Sequence, residues 1–221
     1  MKHLRNAVLG SALAIVGVAQ AGIIVDSFDI PLAGLTASIV NPPGPLTLSD
    51  GPTTGGSILG SRHMTYTITG ASGPTVDAVK INVLPYGSSL VETADNNGVP
   101  SLVLNYTGFA VDVLGNNTPT LYKFSTDANL EKVQATFFDG AAGVSTSGWV
   151  TVAGNHSGDL VLTLVGTANL TDIENINVQF QGAAGADFTL GSIIAAPEPA
   201  TYGGLTALGL LGTVIWRRAR A

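Results

Sequence analysis

The sequence contains no cysteine. This absence excludes disulfide bonds, thiolate metal sites and a cysteine nucleophile together. A folded domain in this chain must therefore hold its core by packing, without covalent cross-links. The segment between the two apolar ends has about 175 residues, which is long enough to bury roughly 70% of the surface that its unfolded chain exposes.

Basic residues are scarce between residues 22 and 196. This segment holds 4 Lys and Arg against 14 Asp and Glu, a net charge of −10. Affinity for nucleic acid comes largely from Lys and Arg that neutralise phosphates, so we expect no nucleic-acid binding. The acids are spread singly along the chain, which favours a soluble secreted surface over a store of cations.

The residues that catalysis needs are also few. His63 and His156 are the only histidines after the N-terminal leader, and no G-x-S-x-G motif accompanies them. Both are expected at the surface. The glutamates Glu92, Glu131 and Glu174 stand in no obviously apolar setting that would raise their pKa values for acid catalysis. We therefore predict no catalytic residue and no enzyme.

One short segment carries oxygen ligands suited to calcium. Asp95-Asn96-Asn97-Gly98 lacks both the spacing of an EF-hand loop and its terminal glutamate. A solvated turn is the simpler interpretation. Asp95 and Asn97 are retained as weak calcium candidates, and no other metal or cofactor is predicted.

Residues 1–21 are typical of a secretory signal peptide. Lys2 and Arg5 precede a small, apolar run of 13 residues, Ala7 to Ala19. Such a run is too short to cross a hydrocarbon core of ~30 Å comfortably, so we expect removal by signal peptidase. The residues that mark this cleavage site are Ala19, Ala21 and Gly22.

The C-terminal end predicts a short transmembrane helix. Residues 202–216 carry no charge and would form a helix of about 22 Å, at roughly 1.5 Å per residue. The positive-inside rule leaves the basic residues that follow in the cytoplasm and everything before Tyr202 on the far side of the inner membrane. These cytoplasmic anchor residues are Arg217, Arg218 and Arg220.

A proline-rich segment stands directly before this helix. Pro197-Glu198-Pro199 excludes helix and sheet, which predicts an extended strip accessible to a protease. The order of this motif, the short helix and the arginines over residues 197–221 resembles the PEP-CTERM sorting domain. The resemblance implies processing by exosortase in a Gram-negative bacterium that makes exopolysaccharide or biofilm, with delivery to the cell surface or extracellular matrix. A permanent anchor with a proline-rich stalk is the alternative.

Residues 22–196 alternate apolar and polar residues with period two, which predicts strands with one buried face. Strands every 10 to 15 residues without helices between them indicate an antiparallel β-sandwich of jelly-roll type, with an up-and-down barrel as the alternative. Residues 41–60 are predicted to be a long loop, and the last strand to end near Ile194. The predicted inward sets are Met64-Tyr66-Ile68, Val79-Ile81-Val83, Leu102-Leu104-Tyr106, Phe109-Val111-Val113, Val133-Ala135-Phe137, Leu160-Leu162-Leu164 and Ile176-Val178-Phe180.

Trp149 is the only tryptophan outside the C-terminal tail. Sugar-binding surfaces use exposed aromatic rings, so Trp149 is our sugar-binding candidate, with Tyr86 and Tyr122 as companions. Packing in the core or at the rim is the ordinary role of such a residue.

The leading functional hypothesis is a non-enzymatic surface or matrix protein associated with exopolysaccharide. A carbohydrate-binding module is the alternative, and an enzyme acting on polysaccharide comes third. The expected partners are signal peptidase, exosortase, the inner membrane as a transient anchor, and polysaccharide.

Overall fold

The computed structural model describes residues 23–30, 35–39, 46–56, 58–69, 75–83, 88–94, 98–113, 118–127, 129 and 131–195. Residues Ile23–Ala196 form one compact unit. In the described ranges every regular element is a strand, and no helix there is long and apolar enough to cross a membrane. The predicted signal peptide, sorting motif, transmembrane helix and arginine cluster lie outside the described residues, as do Asp95, Asn97 and Tyr86.

The strands, numbered in chain order, pair in two antiparallel sheets. Their bounds are β1 Ile23–Asp26, β2 Leu35–Ile39, β3 Leu46–Thr54, β4 Ser61–Thr69, β5 Thr75–Asn82, β6 Ser89–Thr93, β7 Val99–Thr107, β8 Pro119–Thr126, β9 Glu131–Asp139, β10 Val144–Thr146, β11 Val150–Val152, β12 Ser157–Val161, β13 Val165–Gly166, β14 Ile173–Gly182, β15 Phe188–Leu190 and β16 Ser192–Ala195.

The first sheet has the order β1-β16-β8-β15-β6-β5-β2, and β12 also pairs with β8. The strands β15 and β16 both pair with β8 and together act as one strand interrupted at Gly191. The second sheet has the order β13-β10-β9-β14-β7-β4-β3, and β11 also pairs with β9. The prediction of an all-β, antiparallel fold is confirmed, and the jelly-roll strand order stays a prediction.

The two sheets pack face to face around one core. In β4 the side chains of Met64, Tyr66 and Ile68 are buried, as the alternation predicts. The rings of Phe180 in the second sheet and Phe188 in the first sheet stack with their centroids 4.6 Å apart. Because each strand turns alternate side chains inward, the outer faces of the two sheets point in opposite directions.

The predicted long loop over residues 41–60 is wrong, because β3 forms inside it. Leu46 to Asp50 pair with Ile68 to Met64 of β4, and the register then shifts before Thr53. Pro52 lies in that shift, on the edge strand of the sheet, where a missing N–H breaks no ladder. Proline is tolerated at edges and bulges for this reason.

Two other predicted strands differ from the structure. Phe109 to Val113 is not a strand, since only Val111 forms an isolated bridge, with Ile173. The strand predicted from Leu160 to Leu164 ends at Val161, where the chain leaves the first sheet. Both segments alternate apolar and polar residues although they are not strands, because their apolar residues are buried in connections. Val113 and Leu162, for example, are each only 1% exposed. Val83, predicted to point inward, lies past the end of β5 and is 49% exposed.

A buried ion pair connects the two sheets. The Arg62 guanidinium of β4 donates from Nη1 to Asp26 Oδ2 of β1 at 2.7 Å, with both side chains at most 1% exposed. The same carboxylate accepts the Tyr106 hydroxyl at 3.0 Å and the Phe28 backbone N–H at 2.8 Å. Burial raises the pKa of the Asp26 carboxyl in spite of the lowering effect of Arg62. The network fixes β1 against β4 and β7.

The N-terminal and C-terminal strands of the domain are neighbours. β1 pairs with β16 in antiparallel register, with Ile23 opposite Ala195 and Ile24 opposite Ile194. The strand predicted to end near Ile194 therefore ends at Ala195, beside the first described residue of the chain. Its other neighbour is β8.

We predict that Asp26→Ala destabilises the domain by about 3 to 5 kcal/mol, because it leaves the Arg62 charge buried without its partner. Urea denaturation followed by circular dichroism measures the change in the free energy of unfolding. The double variant Asp26→Leu with Arg62→Met should recover most of the loss, and Lys80→Ala, at an exposed lysine, should stay within about 0.5 kcal/mol of wild type. A loss below about 1 kcal/mol for Asp26→Ala would contradict the assigned role.

Candidate functional site

Most side chains on the outer face of the second sheet are uncharged and polar; Val103 and Lys132 are exceptions. In β14, Asn177 and Gln179 are half-buried and alternate with the buried Ile176, Val178 and Phe180. The same alternation runs through β4, β7 and β9, where the strands turn apolar side chains inward. The resulting surface, called here the amide face, consists of His63, Thr65, Val103, Asn105, Gln134, Thr136, Thr146, Asn177 and Gln179.

The strand register arranges the amide face in two rows. One row crosses four strands as Thr65, Val103, Gln179 and Gln134. The other crosses five strands as His63, Asn105, Asn177, Thr136 and Thr146. Since neighbouring strands lie about 4.8 Å apart, the second row spans about 19 Å.

Hydrogen bonds between neighbouring side chains orient the amides and hydroxyls of this face. Gln179 Nε2 donates to Asn177 Oδ1 at 2.8 Å, and Gln134 Nε2 donates to Thr146 Oγ1 at 3.2 Å. The hydroxyls of Thr136 and Thr146 also lie 3.2 Å apart. Each side chain keeps further donor or acceptor capacity, because an amide can form about four hydrogen bonds and a hydroxyl about three.

Carboxylates are absent from the nine residues of the amide face, although the unit carries 14 acidic residues. Glu131 of β9 points inward, and Asp139 and Glu174 lie at one end of β9 and β14. Lys132 borders the face at the opposite end of β9. The surface is therefore polar and nearly uncharged within an acidic domain.

Trp149 lies at the edge of this sheet, between β10 and β11. The chain bulges there. The Ser147 N–H donates to the Ala135 carbonyl, the Ala135 N–H donates to the Ser147 hydroxyl, and Gly148 has a φ of +62°. Trp149 is 47% exposed and precedes Val150, which packs against the core. Strand alternation therefore places Trp149 on the outer side, with Thr151 and the amide face.

The other predicted companion of Trp149, Tyr122, lies elsewhere. It is in β8 of the first sheet, where it is 40% exposed. The structure therefore assigns the two aromatic residues to different sheets. The Thr, Asn and Gln residues of the two rows alternate with core residues in the sequence, but only the strand register aligns them in rows.

The histidines are separated in the structure. His63 is exposed on the polar side of β4, as expected. His156 is half-buried rather than free at the surface, because its ring packs 5.8 Å from the ring of Phe124. Within the described part of the chain, no three His, Cys, Asp or Glu side chains are grouped so that they could hold a metal ion.

The expectation that no glutamate stands in an apolar setting is wrong. Glu92 is buried and its Oε1 accepts the Tyr66 hydroxyl at 2.7 Å. Glu131 is 1% exposed, and burial, with a smaller effect of the Asp127 charge, raises the pKa of its carboxyl to about 8. Residues distant in sequence create this setting: a Cβ at Gly182 would come within 3.1 Å of Glu131 Oε2.

Two carboxyl groups near the ends of β8 and β15 share an open cleft. Asp127 and Asp187 line it together with Glu92, and the cleft has a volume of about 310 Å³. Burial, and secondarily the Asp127 charge, raise the pKa of Asp187, while the Ala94 N–H donates to its Oδ1 at 2.7 Å. Each of these carboxylates has a structural hydrogen-bonding role, so the cleft is less suited to a ligand than the amide face.

No family model and no curated protein matches the chain. Among solved structures, CtCBM11 has a TM-score of 0.42 at 11% identity over 82% of this chain and 99% of its own. The family 11 carbohydrate-binding module of the Clostridium thermocellum cellulase Lic26A-Cel5E has a TM-score of 0.37 at 11% identity over 81% and 97%. PfGH50B has a TM-score of 0.39 at 12% identity over 56% of this chain and 22% of its own. TM-scores of this size establish neither a shared fold nor a shared function.

We predict that the domain loses stability as pH rises from about 4.5 to about 8. In this interval the unfolded chain ionises Glu131 while the folded chain keeps its proton, so the free energy of unfolding falls by about 1.4 kcal/mol per pH unit. Glu131→Gln keeps a neutral side chain of similar shape and should flatten this dependence. Urea denaturation at about pH 5 and about pH 8 measures it. Glu174→Gln, at an exposed glutamate, is the control, and a Glu131→Gln profile parallel to the wild type would contradict the assignment.

Proposed function

We propose that this chain is an exported surface or extracellular-matrix protein, processed by exosortase, whose β-sandwich binds polysaccharide without hydrolysing it. The observation that carries the binding function is the amide face with Trp149 at its edge. The export and processing steps are supported by the two ends of the sequence.

The amide face suits a neutral polysaccharide chemically. Sugar hydroxyls both donate and accept hydrogen bonds, and the side-chain amides of Asn105, Asn177 and Gln179 do the same. A nearly uncharged surface also avoids the high cost of removing water from a carboxylate or an ammonium group when a ligand covers it. Polar recognition of this kind needs no ionised group on either partner.

The dimensions of the face suit an extended chain of sugars. The row from His63 to Thr146 spans about 19 Å across five strands, which is the length of several pyranose rings. Trp149 follows Thr146, the last residue of this row, by three positions in the connection between β10 and β11. Its exposed ring offers an apolar surface to the C–H face of a sugar. Stacking of this type, together with hydrogen bonds along a row, orients a polysaccharide across the strands.

A binding role is favoured over a catalytic one by the carboxyl groups. Glycoside hydrolysis uses two carboxyl groups on either side of one glycosidic bond. The amide face presents none, and Glu131, the group with the raised pKa, is buried at the start of β9. We therefore infer that bound polysaccharide stays intact.

The ends of the chain supply the route to the surface. Signal peptidase removes residues 1–21, and the helix 202–216 holds the protein in the inner membrane until exosortase acts near Pro197-Glu198-Pro199. This route leaves the β-sandwich at the cell surface or in the extracellular matrix, where exopolysaccharide is the abundant ligand. These steps follow from the resemblance to the PEP-CTERM sorting domain.

We predict that Trp149→Ala and Gln179→Ala each weaken binding to a neutral soluble glucan by about tenfold or more, which corresponds to about 1.4 kcal/mol. Affinity electrophoresis of the full-length chain in detergent measures the change. Because the face is nearly uncharged, wild-type binding should change little between low and high salt. Val161→Ala, at an exposed apolar residue of the first sheet, is the matched control. The two substitutions are compared in a parent chain that also carries Tyr122→Ala, so that the exposed tyrosine of the first sheet contributes no binding. Unchanged binding in both variants would then overturn the assignment of the amide face.

We predict that cells with an active exosortase release the C-terminal fragment, whereas cells without the enzyme keep the chain intact. Immunoblots against tags placed on either side of the motif measure the two products. The variants Pro197→Ala and Glu198→Ala should stay uncleaved in the presence of the enzyme, because they disrupt the motif and leave the helix unchanged. A wild-type tail that remains uncleaved beside a working exosortase refutes the processing step.

A further inference from the structure

The outer face of the first sheet carries an exposed tyrosine beside a lysine. Tyr122 and Lys123 are consecutive in β8, yet both side chains are exposed, whereas Leu121 and Phe124 on either side are buried. Regular alternation would direct one of the pair into the core. Lys123 has a φ of +51°, and this left-handed backbone turns both side chains outward.

The unusual backbone at Lys123 is held by specific contacts. The Lys123 N–H donates to Asp159 Oδ1 of β12 at 3.0 Å, and the Gly191 N–H donates to the Tyr122 carbonyl at 3.0 Å. A Cβ at Gly191 would meet that carbonyl at 3.1 Å and Lys123 Cβ at 3.2 Å, so glycine permits the close approach. Backbone conformations of this kind cost about 1 to 3 kcal/mol in a non-glycine residue and cluster at ligand sites.

Tyr122 and Lys123 form one wall of an open groove of about 360 Å³. The Lys123 ammonium lies 5.3 Å from the centroid of the Tyr122 ring. Hydroxyl and carboxylate groups complete the groove around this pair. They belong to Ser27, Asp29, Ser88 and Ser192.

The opposite wall of the groove is fixed by the buried ion pair. Ser27 and Asp29 flank Phe28, which has a φ of +54° and is fully buried. The Phe28 N–H donates to the Asp26 carboxylate, and the Arg62 guanidinium lies 6.0 Å from the centroid of the Phe28 ring. The groove therefore has two walls that are set by the core before any ligand binds.

We propose that this groove is a second carbohydrate site, which takes one pyranose unit of a polysaccharide. The ring of Tyr122 stacks on the C–H face of the sugar, and Lys123 and the serine hydroxyls donate hydrogen bonds to its oxygens. Exposed aromatic rings with a few polar groups around them are typical of such sites.

The groove and the amide face lie on opposite outer sides of the sandwich. Tyr122 faces outward from the first sheet, and the amide face is on the outer side of the second sheet. Two ligand chains bound at these sites are separated by the thickness of the sandwich and cannot contact the same surface. The domain then cross-links polysaccharide, a conclusion that rests on the proposed function of the amide face, whereas binding in the groove does not.

The experiment uses the full-length chain in detergent with glucan-coated beads and with the free glucan. We expect wild type to cluster the beads and Tyr122→Ala to abolish clustering while glucan binding through the amide face persists. Tyr122→Phe keeps the ring and should cluster the beads as wild type does. Thermal unfolding should be the same for all three proteins, because Tyr122 is 40% exposed.

The outcomes separate the two sites. Clustering by Tyr122→Ala at wild-type concentrations overturns the groove. A second outcome is that Tyr122→Ala loses glucan binding, Trp149→Ala keeps it, and wild type does not cluster the beads. This outcome supports the groove as the binding site, and it refutes both the amide face and the cross-linking. Beads coated with a polyuronate identify the sugar. If Lys123→Gln binds polyuronate beads about tenfold more weakly than wild type and binds glucan beads as wild type does, the groove takes an acidic pyranose unit. If Lys123→Gln binds the two coatings equally, the groove takes a neutral one.

Discussion

The buried ion pair of Asp26 and Arg62 is the interaction on which the arrangement of the two sheets depends. Removing two charges from water is unfavourable, and the structure offsets this with further hydrogen bonds from the Tyr106 hydroxyl and the Phe28 N–H to the same carboxylate. The ladder with β16 sets the register of β1 in its own sheet, and the ion pair sets its position against the second sheet. Because the buried Arg62 guanidinium needs the Asp26 carboxylate beside it, the ion pair fixes the position of β1. It thereby also fixes the turn after β1, which carries Ser27 and Asp29.

The period-two pattern was sufficient to predict the fold class and most of the core, because one buried face per strand is a local property of the chain. The ion pair was beyond such reasoning. Arg62 shares a face with Met64, yet the residue that neutralises it lies 36 positions earlier. The setting of Glu131 likewise depends on Gly182. In both cases the deciding partner is distant in sequence. The strand β3 instead pairs with the next strand, β4, and the Gly and Pro residues around it are typical of loops.

The two surfaces differ in how far the sequence could have predicted them. The alternation of Thr, Asn and Gln with apolar residues was readable, but their alignment in rows required the register of five strands. Trp149 was identified because tryptophan is rare in this chain, and its exposure comes from a bulge at Ser147 and Gly148. The exposure of Lys123 follows from a positive φ at a residue type that rarely adopts it, so no sequence pattern predicts it.

The pairing of β1 with β16 also determines how the domain responds to mechanical load. A force applied at Ala195 pulls along the axis of β16, which is hydrogen-bonded to β1 on one side and β8 on the other. The bonds of both ladders then resist in shear and must break together. A force that separates Ile23 from Ala195 instead opens the β1 ladder one bond at a time. The ladders are therefore strong when β16 is pulled along its axis against the rest of the sandwich, and weak when Ile23 and Ala195 are pulled apart.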